Sequence, residues 1–321
     1  MSSAQQISEA NAALIVSNAG GNHISVCVCT FRRPEALKRL LEHLAKQQTC
    51  GLFTYSLVIV DNDPARSGES TCKDFQQRYS QPTLTYATQP EQSIALTRNK
   101  AIETATGEFI AFIDDDEFPV EHWLVDLYRT CTSMQVAGVL GPVKRHFDQQ
   151  PPKWILRGSF FERPTHPTGF VLSHSNTRTG NVLFRRNILQ SGVLPFRPQF
   201  RGGSDVDFFK LRMAEGHQFV WCNEAWVYET VPPARWKRRY MLRRALLRGI
   251  STAMRLDNWR EGFVSVAKSL IAVPLYTLAL PFSLLLGHHR FMTLLIKTCD
   301  HLGKLLRLVG FNPIKDAYVT D

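Results

Sequence analysis

Three aspartates and a glutamate, Asp114-Asp115-Asp116-Glu117, follow directly on the apolar run Phe109–Ile113. Charges this close repel one another. A hard divalent cation, Mg²⁺ or Mn²⁺, relieves the repulsion because it takes carboxylate oxygens together with substrate phosphates. A cation there would neutralise charge on a departing nucleoside diphosphate. The plainer alternative is a solvated acidic loop. A second acidic turn, Asp61-Asn62-Asp63-Pro64, closes the apolar run Leu57–Val60. Further on, Asp205 follows Gly202-Gly203-Ser204 and opens a helical stretch that Gly216 would end. A carboxylate there acts either as the helix N-cap or as a general base toward an acceptor hydroxyl. Spacing by itself favours the cap.

The elements around these acids decide where they act. His23–Cys29 reads as a buried strand, and Pro34 opens a helix with apolar positions at Leu37, Leu40, Leu41 and Leu44. Leu57–Val60, Leu84–Ala87, Phe109–Ile113 and Ala137–Val143 read as further strands. Helices are expected at Ile94–Thr106, capped by Ser93 and stopped by Gly107, and around Glu121–Cys131. Alternating strands and helices imply an α/β fold with a mostly parallel sheet covered on both faces. Such sheets bind ligands beyond the carboxyl ends of their strands, where both acidic clusters fall. From Gln149 to Arg201 no period is legible, and Trp154, Phe160 and Phe161 form either a platform or buried loop packing. No G-x-x-x-x-G-K-[ST] loop occurs, and no G-x-G-x-x-G follows the first strand, which argues against a P-loop kinase. His146, His166 and His174 lack H-x-x-x-H spacing, which argues against zinc.

In this order the residues resemble the family 2 glycosyltransferases with the GT-A fold, a Rossmann-like sheet flanked by helices, from about His23 to Arg248. Val26–Pro34 resembles the nucleotide-binding opening, bringing in Thr30 and Arg32. Asp61 and Asp63 match the strand end that reads the base, and Thr97-Arg98-Asn99 matches an element beside the diphosphate. Asp114-x-Asp116 matches the metal element, with Asp115 among the donor contacts. Gly202–Asp207 matches the acceptor side, so the resemblance makes Asp205 the base and Gly203 and Asp207 acceptor contacts. VDNDPARSG, FIDDDEFP, GPVKRHF, TGNVLFRR and EAWVYETVPPAR are similar to stretches of bacterial exopolysaccharide transferases of the succinoglycan type, adding Asn181 to the acceptor contacts. The resemblance implies inverting transfer of one sugar, UDP-glucose being the expected donor and a lipid-diphosphate-linked oligosaccharide the acceptor. Three departures stand out: Ser204 replaces an acidic residue before the base, Gln92 a glycine, and Glu229 a metal-contacting His, leaving Glu229 as a candidate ligand. Arg235-Trp236 keeps only the end of a Q-x-x-R-W element, which argues for single addition and leaves both residues as acceptor contacts. The alternatives are a metal-dependent nucleotidyltransferase, which would usually show a Gly-rich basic phosphate loop, and a non-catalytic nucleotide-sugar-binding membrane protein.

The organisation expected is a flexible lead-in over 1–22 and a catalytic domain over 23–248. That domain divides into a nucleotide-sugar half, 23–143, and an acceptor half, 144–248; a helical, membrane-associating region follows over 249–321. Charge supports that last assignment. The first 230 residues carry 23 charges of each sign, whereas Val231–Asp321 carries 15 basic and 5 acidic residues. A basic tail fits nucleic acid or phospholipid headgroups; its apolar, aromatic character favours an anionic membrane surface and no nucleic acid. Ser269–Gly287 is a 19-residue uncharged run containing Pro274 and Pro281, borderline for spanning and equally suited to a re-entrant or interface-lying element. Beyond it, Leu295, Cys299, Leu302, Leu306 and Val309 oppose Lys297, His301, Lys304 and Arg307, a basic amphipathic helix. Seven cysteines without C-x-x-C spacing and no signal-like start point to a reducing compartment; with the resemblance, the expected place is the cytoplasmic face of a bacterial inner membrane.

Overall fold

A computed structural model describes residues 22–200, 203–254 and 259–310. The expectations for 1–21, for Gly202 and for 311–321 lie outside the described residues. The chain divides into two compact units: the chain up to Lys144 with Arg163–Glu229, and Arg145–Glu162 with the chain from Thr230.

In the first unit β1 (His23–Thr30) starts the sheet, and α1 (Pro34–Leu44) buries Leu37, Leu40, Leu41 and Leu44 as its spacing requires. β2 (Thr54–Asp61) runs parallel to β1, with Cys29 opposite Val60 and Thr30 opposite Asp61. The sequence reading missed α2 (Glu69–Arg78), which buries only Cys72 and Phe75 and so shows almost no apolar period. β3 (Thr83–Thr88) pairs parallel with β2, and Ser93 caps α3 (Ile94–Thr104) by accepting the Leu96 N–H at 3.4 Å. β4 (Phe109–Ile113) is wholly buried and parallel to β1, as expected of a strand covered on both faces. β5 (Glu117–Pro119) and α4 (Trp123–Ser133) follow.

Beyond β4 the sheet departs from the simple pattern. The predicted strand Ala137–Val143 breaks at Gly141-Pro142 into β6 (Gly138–Leu140) and β7 (Val143–His146). Proline lacks the N–H that a continuing ladder would need. The stretch read as irregular holds α5 (Lys153–Gly158) and β8 (Asn181–Arg185). β8 lies antiparallel between β4 and β6, so the seven-stranded order is β3-β2-β1-β4-β8-β6 and then β9 (Phe219–Trp221). The core of β8, Val182-Leu183-Phe184, is too short for periodicity to separate from a buried loop. After α6 (Ser204–Ala214), β9 runs parallel to β6. A small second sheet has the order β5-β10-β7, with β10 (Val227–Thr230) antiparallel to β5 and Glu229 opposite Glu117.

The second unit contains α5 and the helices α7 (Arg238–Met254), α8 (Trp259–Leu285) and α9 (His288–Leu308). The boundary expected at 248/249 falls inside α7. This helix is bound to α9, where Gly249 faces Gly303 with no room for a Cβ and Arg248 Nε bonds Asp300 at 2.7 Å. Trp154 packs against Phe160 and His288, and Phe161 against Phe147, which in turn meets Trp236, so these aromatics pack together. α8 continues through Pro274 and Pro281 and is followed by α9, which folds back along it; Ser269 Oγ lies 2.9 Å from His301 Nδ1. The outward side of α8 is apolar: Phe263, Ile271, Leu278 and Phe282 are each more than two-thirds exposed.

Candidate functional site

The carboxyl ends of β1, β2 and β4 bring the predicted acids together. Thr30 Oγ1, the last residue of β1, donates to Asp115 Oδ2 at 2.8 Å. Arg33, which the sequence reading did not single out, reaches Asp115 Oδ1 at 3.2 Å and Asp116 Oδ2 at 3.3 Å. Asp114 presents an open surface at the strand end, yet protein surrounds it. That crowding, with repulsion from Asp116, raises its carboxyl to about 6, while Arg98 and Arg163 oppose the rise. Burial likewise raises Asp115 to about 6 against the pull of Arg33.

Glu117, which the sequence reading included in the cluster without giving it a role of its own, is 1% exposed. Its Oε2 accepts the Asp114 N–H at 3.3 Å, while Oε1 is buried with no hydrogen-bond partner. Burial first, then Asp114 and Glu229, push its carboxyl well above the usual range. Gly180 permits this crowding: a Cβ there would lie 2.8 Å from Glu117 Oε1 and 2.9 Å from Asp114 Oδ2.

Several predicted contacts are occupied by the fold itself. Asp61 is fully buried, its Oδ1 accepting from the Asp63 N–H at 2.9 Å and its Oδ2 from the Gly68 N–H at 2.7 Å and the Tyr86 hydroxyl at 3.0 Å. These bonds use both of its oxygens and shape the loop after β2. Asp63 is closed off as well, with Arg32 Nε at 3.3 Å; burial raises its carboxyl, but the Ala65 N–H and Arg32 outweigh that and leave it lowered. Asn99 exchanges two bonds with the Phe196 backbone, at 2.7 and 2.9 Å, and positions that loop. Asn181 accepts from Trp123 Nε1 at 2.8 Å and donates to the carbonyls of Pro142 and Ala225 at 3.0 and 2.7 Å. Fully buried, it stitches β8 to its neighbours, with its amide oxygen and nitrogen both bonded inside the protein. The strand-end pattern was legible, but these tertiary bonds have no local sequence signal.

The start of α6 is joined to the acids through Arg98, whose Nη1 donates to Ser204 Oγ at 3.1 Å while its charge acts on Asp114. Gly203, at φ +80°, is the N-cap residue and makes no side-chain cap. Asp205 is therefore inside the helix, and the capping alternative does not hold. It is half-buried and makes no hydrogen bond or ion pair among the described residues. Asp207 is clamped by Arg197, which donates from Nε at 2.7 Å and also from Nη2. Arg235 and Trp236 belong to the second unit, where Arg235 is buried.

Asp114 and Asp116 supply hard oxygen donors whose crowding a divalent cation would relieve, so this pair fits Mg²⁺ or Mn²⁺. Among the described residues no three His, Cys, Asp or Glu side chains could hold a metal by themselves, so substrate oxygens and water would complete the shell. Glu229, a predicted ligand, is ion-paired with Arg163. A groove of about 590 Å³ lies elsewhere, lined by residues including Leu96, Lys100, Leu194 and Pro195, and it contains none of the acids above.

A family model described as glycosyl transferase family 2 matches residues 25–192. The chain is 32% identical over 232 residues to the succinoglycan biosynthesis protein ExoM of Rhizobium meliloti (strain 1021), covering 71% of this chain and 73% of that protein. Among solved structures it is similar to the mannosyltransferase PcManGT from Pyrobaculum calidifontis in complex with GDP-Man and Mn²⁺, with a TM-score of 0.63, 16% identity, and 89% of this chain and 88% of that one covered. It is also similar to S. aureus TarS in complex with UDP, with a TM-score of 0.50, 15% identity, and 92% and 94% covered. At such identities the structural likeness speaks for the fold.

Proposed function

The chain belongs to glycosyl transferase family 2 and has the GT-A fold, and from that footing we propose that it transfers one sugar, with inversion, from a UDP-sugar to a lipid-diphosphate-linked oligosaccharide in exopolysaccharide synthesis. One observation carries the reading: an uncommitted carboxylate, Asp205, opens the helix that Arg98 ties to the strand-end acids. Asp205 takes the proton of an acceptor hydroxyl as that oxygen bonds to the anomeric carbon. The bond from that carbon to the diphosphate oxygen breaks, and the nucleoside diphosphate leaves with the electron pair. Asp114 and Asp116 would hold Mn²⁺ or Mg²⁺, which supplies charge neutralisation to the leaving diphosphate. Thr30 and Arg33 fix the orientation of Asp115 and Asp116.

Glucose as the sugar rests on resemblance to succinoglycan-type transferases, and support for a UDP donor comes from TarS in complex with UDP. Mn²⁺ beside GDP-Man in PcManGT supports the metal. The test is a screen of UDP-, GDP-, ADP- and dTDP-sugars by thermal unfolding with Mn²⁺. A ligand at 100 times its Kd adds about 2.7 kcal/mol, so one sugar nucleotide, expected to be UDP-glucose, raises the melting temperature and EDTA abolishes the rise. A panel without any stabilising sugar nucleotide sinks the donor assignment.

The second unit is assigned to the cytoplasmic face of a membrane. α8 has the length and composition to cross a bilayer, with 27 residues covering about 40 Å. Its partner α9 argues for lying in the interface. Asp300, ion-paired with Arg248 and Lys304, sits beside His301 on the helix packed along α8, and a spanning α8 would draw these polar groups toward the bilayer. Exposed Arg238, Arg239, Arg244 and Arg248 suit anionic headgroups. Replacing Ile271, Leu278 and Phe282 together by Gln removes about 1.5 kcal/mol or more of apolar burial each. The full-length protein is expected to float with phosphatidylglycerol vesicles and the triple variant to stay behind. Equal flotation of the two removes α8 from the account.

A further inference from the structure

Among the described residues, Arg33, Arg98, Arg163 and Arg178 act on Asp114–Glu117, and the first three are committed. Arg33 holds Asp115 and Asp116, Arg98 holds Ser204, and Arg163 is paired with Glu229. Arg178 is the exception. It is half-buried two residues before Gly180, and its charge acts on Glu117, Glu229 and Asp114 as well as on Arg163. Yet it makes no hydrogen bond or ion pair among the described residues. Burial first, and then the neighbouring Arg163, lower its guanidinium to about 10, so it remains a cation at neutral pH. A guanidinium kept out of ion-pair contact in a site this acidic has unused donors, and their fork matches the oxygens of a phosphate. Gly180, two residues on, lies against both carboxylates: a Cβ there would stand 2.9 Å from Asp114 Oδ2 and 2.8 Å from Glu117 Oε1, which places Arg178 on the segment that meets them.

We propose that Arg178 binds the terminal phosphate of the donor's nucleoside diphosphate. This deepens the sugar-transfer reading and rests on it. Arg178 grips the phosphate oxygens directly, as a group that recognises the leaving nucleotide, and it takes no proton. Glu229 keeps Arg163 engaged, and Arg178, which makes no hydrogen bond or ion pair among the described residues, has its fork of donors for the incoming anion.

The experiment is calorimetric titration of the full-length protein with UDP and UMP in Mn²⁺, repeated with GDP and GMP. Wild type is compared with Arg178→Gln and Arg178→Lys. A charge-assisted hydrogen bond lost from the second phosphate weakens diphosphate binding by about 10- to 100-fold. Arg178→Gln is expected to show that loss for UDP and none for UMP, and Arg178→Lys, which keeps the charge without the fork, to fall between. Ligand-free melting curves report whether each variant folds, and the lysine variant serves if the glutamine variant does not. Equal weakening of UDP and UMP overturns the proposal in favour of a purely structural cation, and unchanged UDP binding overturns it outright. Loss of affinity confined to a short prenyl diphosphate, used as a probe for the acceptor, overturns it in favour of acceptor recognition. A wild-type protein that binds neither UDP nor GDP removes the sugar-transfer reading together with this inference.

Discussion

Asp205→Asn is expected to slow sugar transfer by about 10²- to 10⁴-fold, the usual contribution of a general base. The amide keeps the size of the carboxylate but cannot accept the acceptor's proton at neutral pH. Donor binding should be unchanged, because the diphosphate and metal are assigned to Asp114 and Asp116. Stability should be nearly unchanged too, since Gly203 is the cap and Asp205 makes no bond among the described residues. Asp207→Asn is the informative companion. Asp207 is 8% exposed and clamped by Arg197, so its loss should lower the melting temperature and affect transfer less than Asp205→Asn does. Near wild-type transfer by Asp205→Asn, in single-turnover assays with radiolabelled donor, would end its assignment as base.

Asp116→Asn carries the second large effect, on the donor side. It removes one of two oxygen-donor carboxylates from a site that must share its cation with a diphosphate. Mn²⁺-dependent binding of the sugar nucleotide should fall below detection, and turnover with it. The fold should persist: Asp116 sits at a strand end rather than in the core, and Arg33 keeps its bond to Asp115. Calorimetric titration beside a melting curve separates the two effects. A variant that melts like wild type yet binds donor normally contradicts the metal assignment, whereas loss of both reveals a structural role.

The strand ends could be read in advance because buried parallel strands announce themselves as continuous apolar runs, and acids placed at their ends stand out. Phe109–Ile113 leading into Asp114 is the clearest case, and Leu57–Val60 leading into Asp61 the next. What those acids do was only half legible. Asp61 looks like Asp114 in sequence, but Gly68 and Tyr86, from other elements, close over it. Asn181, expected as an acceptor contact, is fully buried and accepts from the Trp123 indole, a bond with no local sequence signal. α2 was missed because two buried side chains in ten residues leave no period. β8 was missed because three apolar residues suffice for a strand buried between two neighbours. Arg163 and Arg178 lie in a stretch without period, and nothing local marks them as neighbours of Glu229 and Glu117.

The central claim is that the strand-end acids hold a metal-bound nucleoside diphosphate. The most direct test is an anomalous difference map from crystals of the full chain grown with Mn²⁺ and UDP. A manganese peak is expected within coordinating distance, about 2.0–2.3 Å, of carboxylate oxygens of Asp114 or Asp116, with the diphosphate on its other side. Manganese or UDP bound instead in the groove beside Leu96 and Leu194, with the acids empty, would contradict the account.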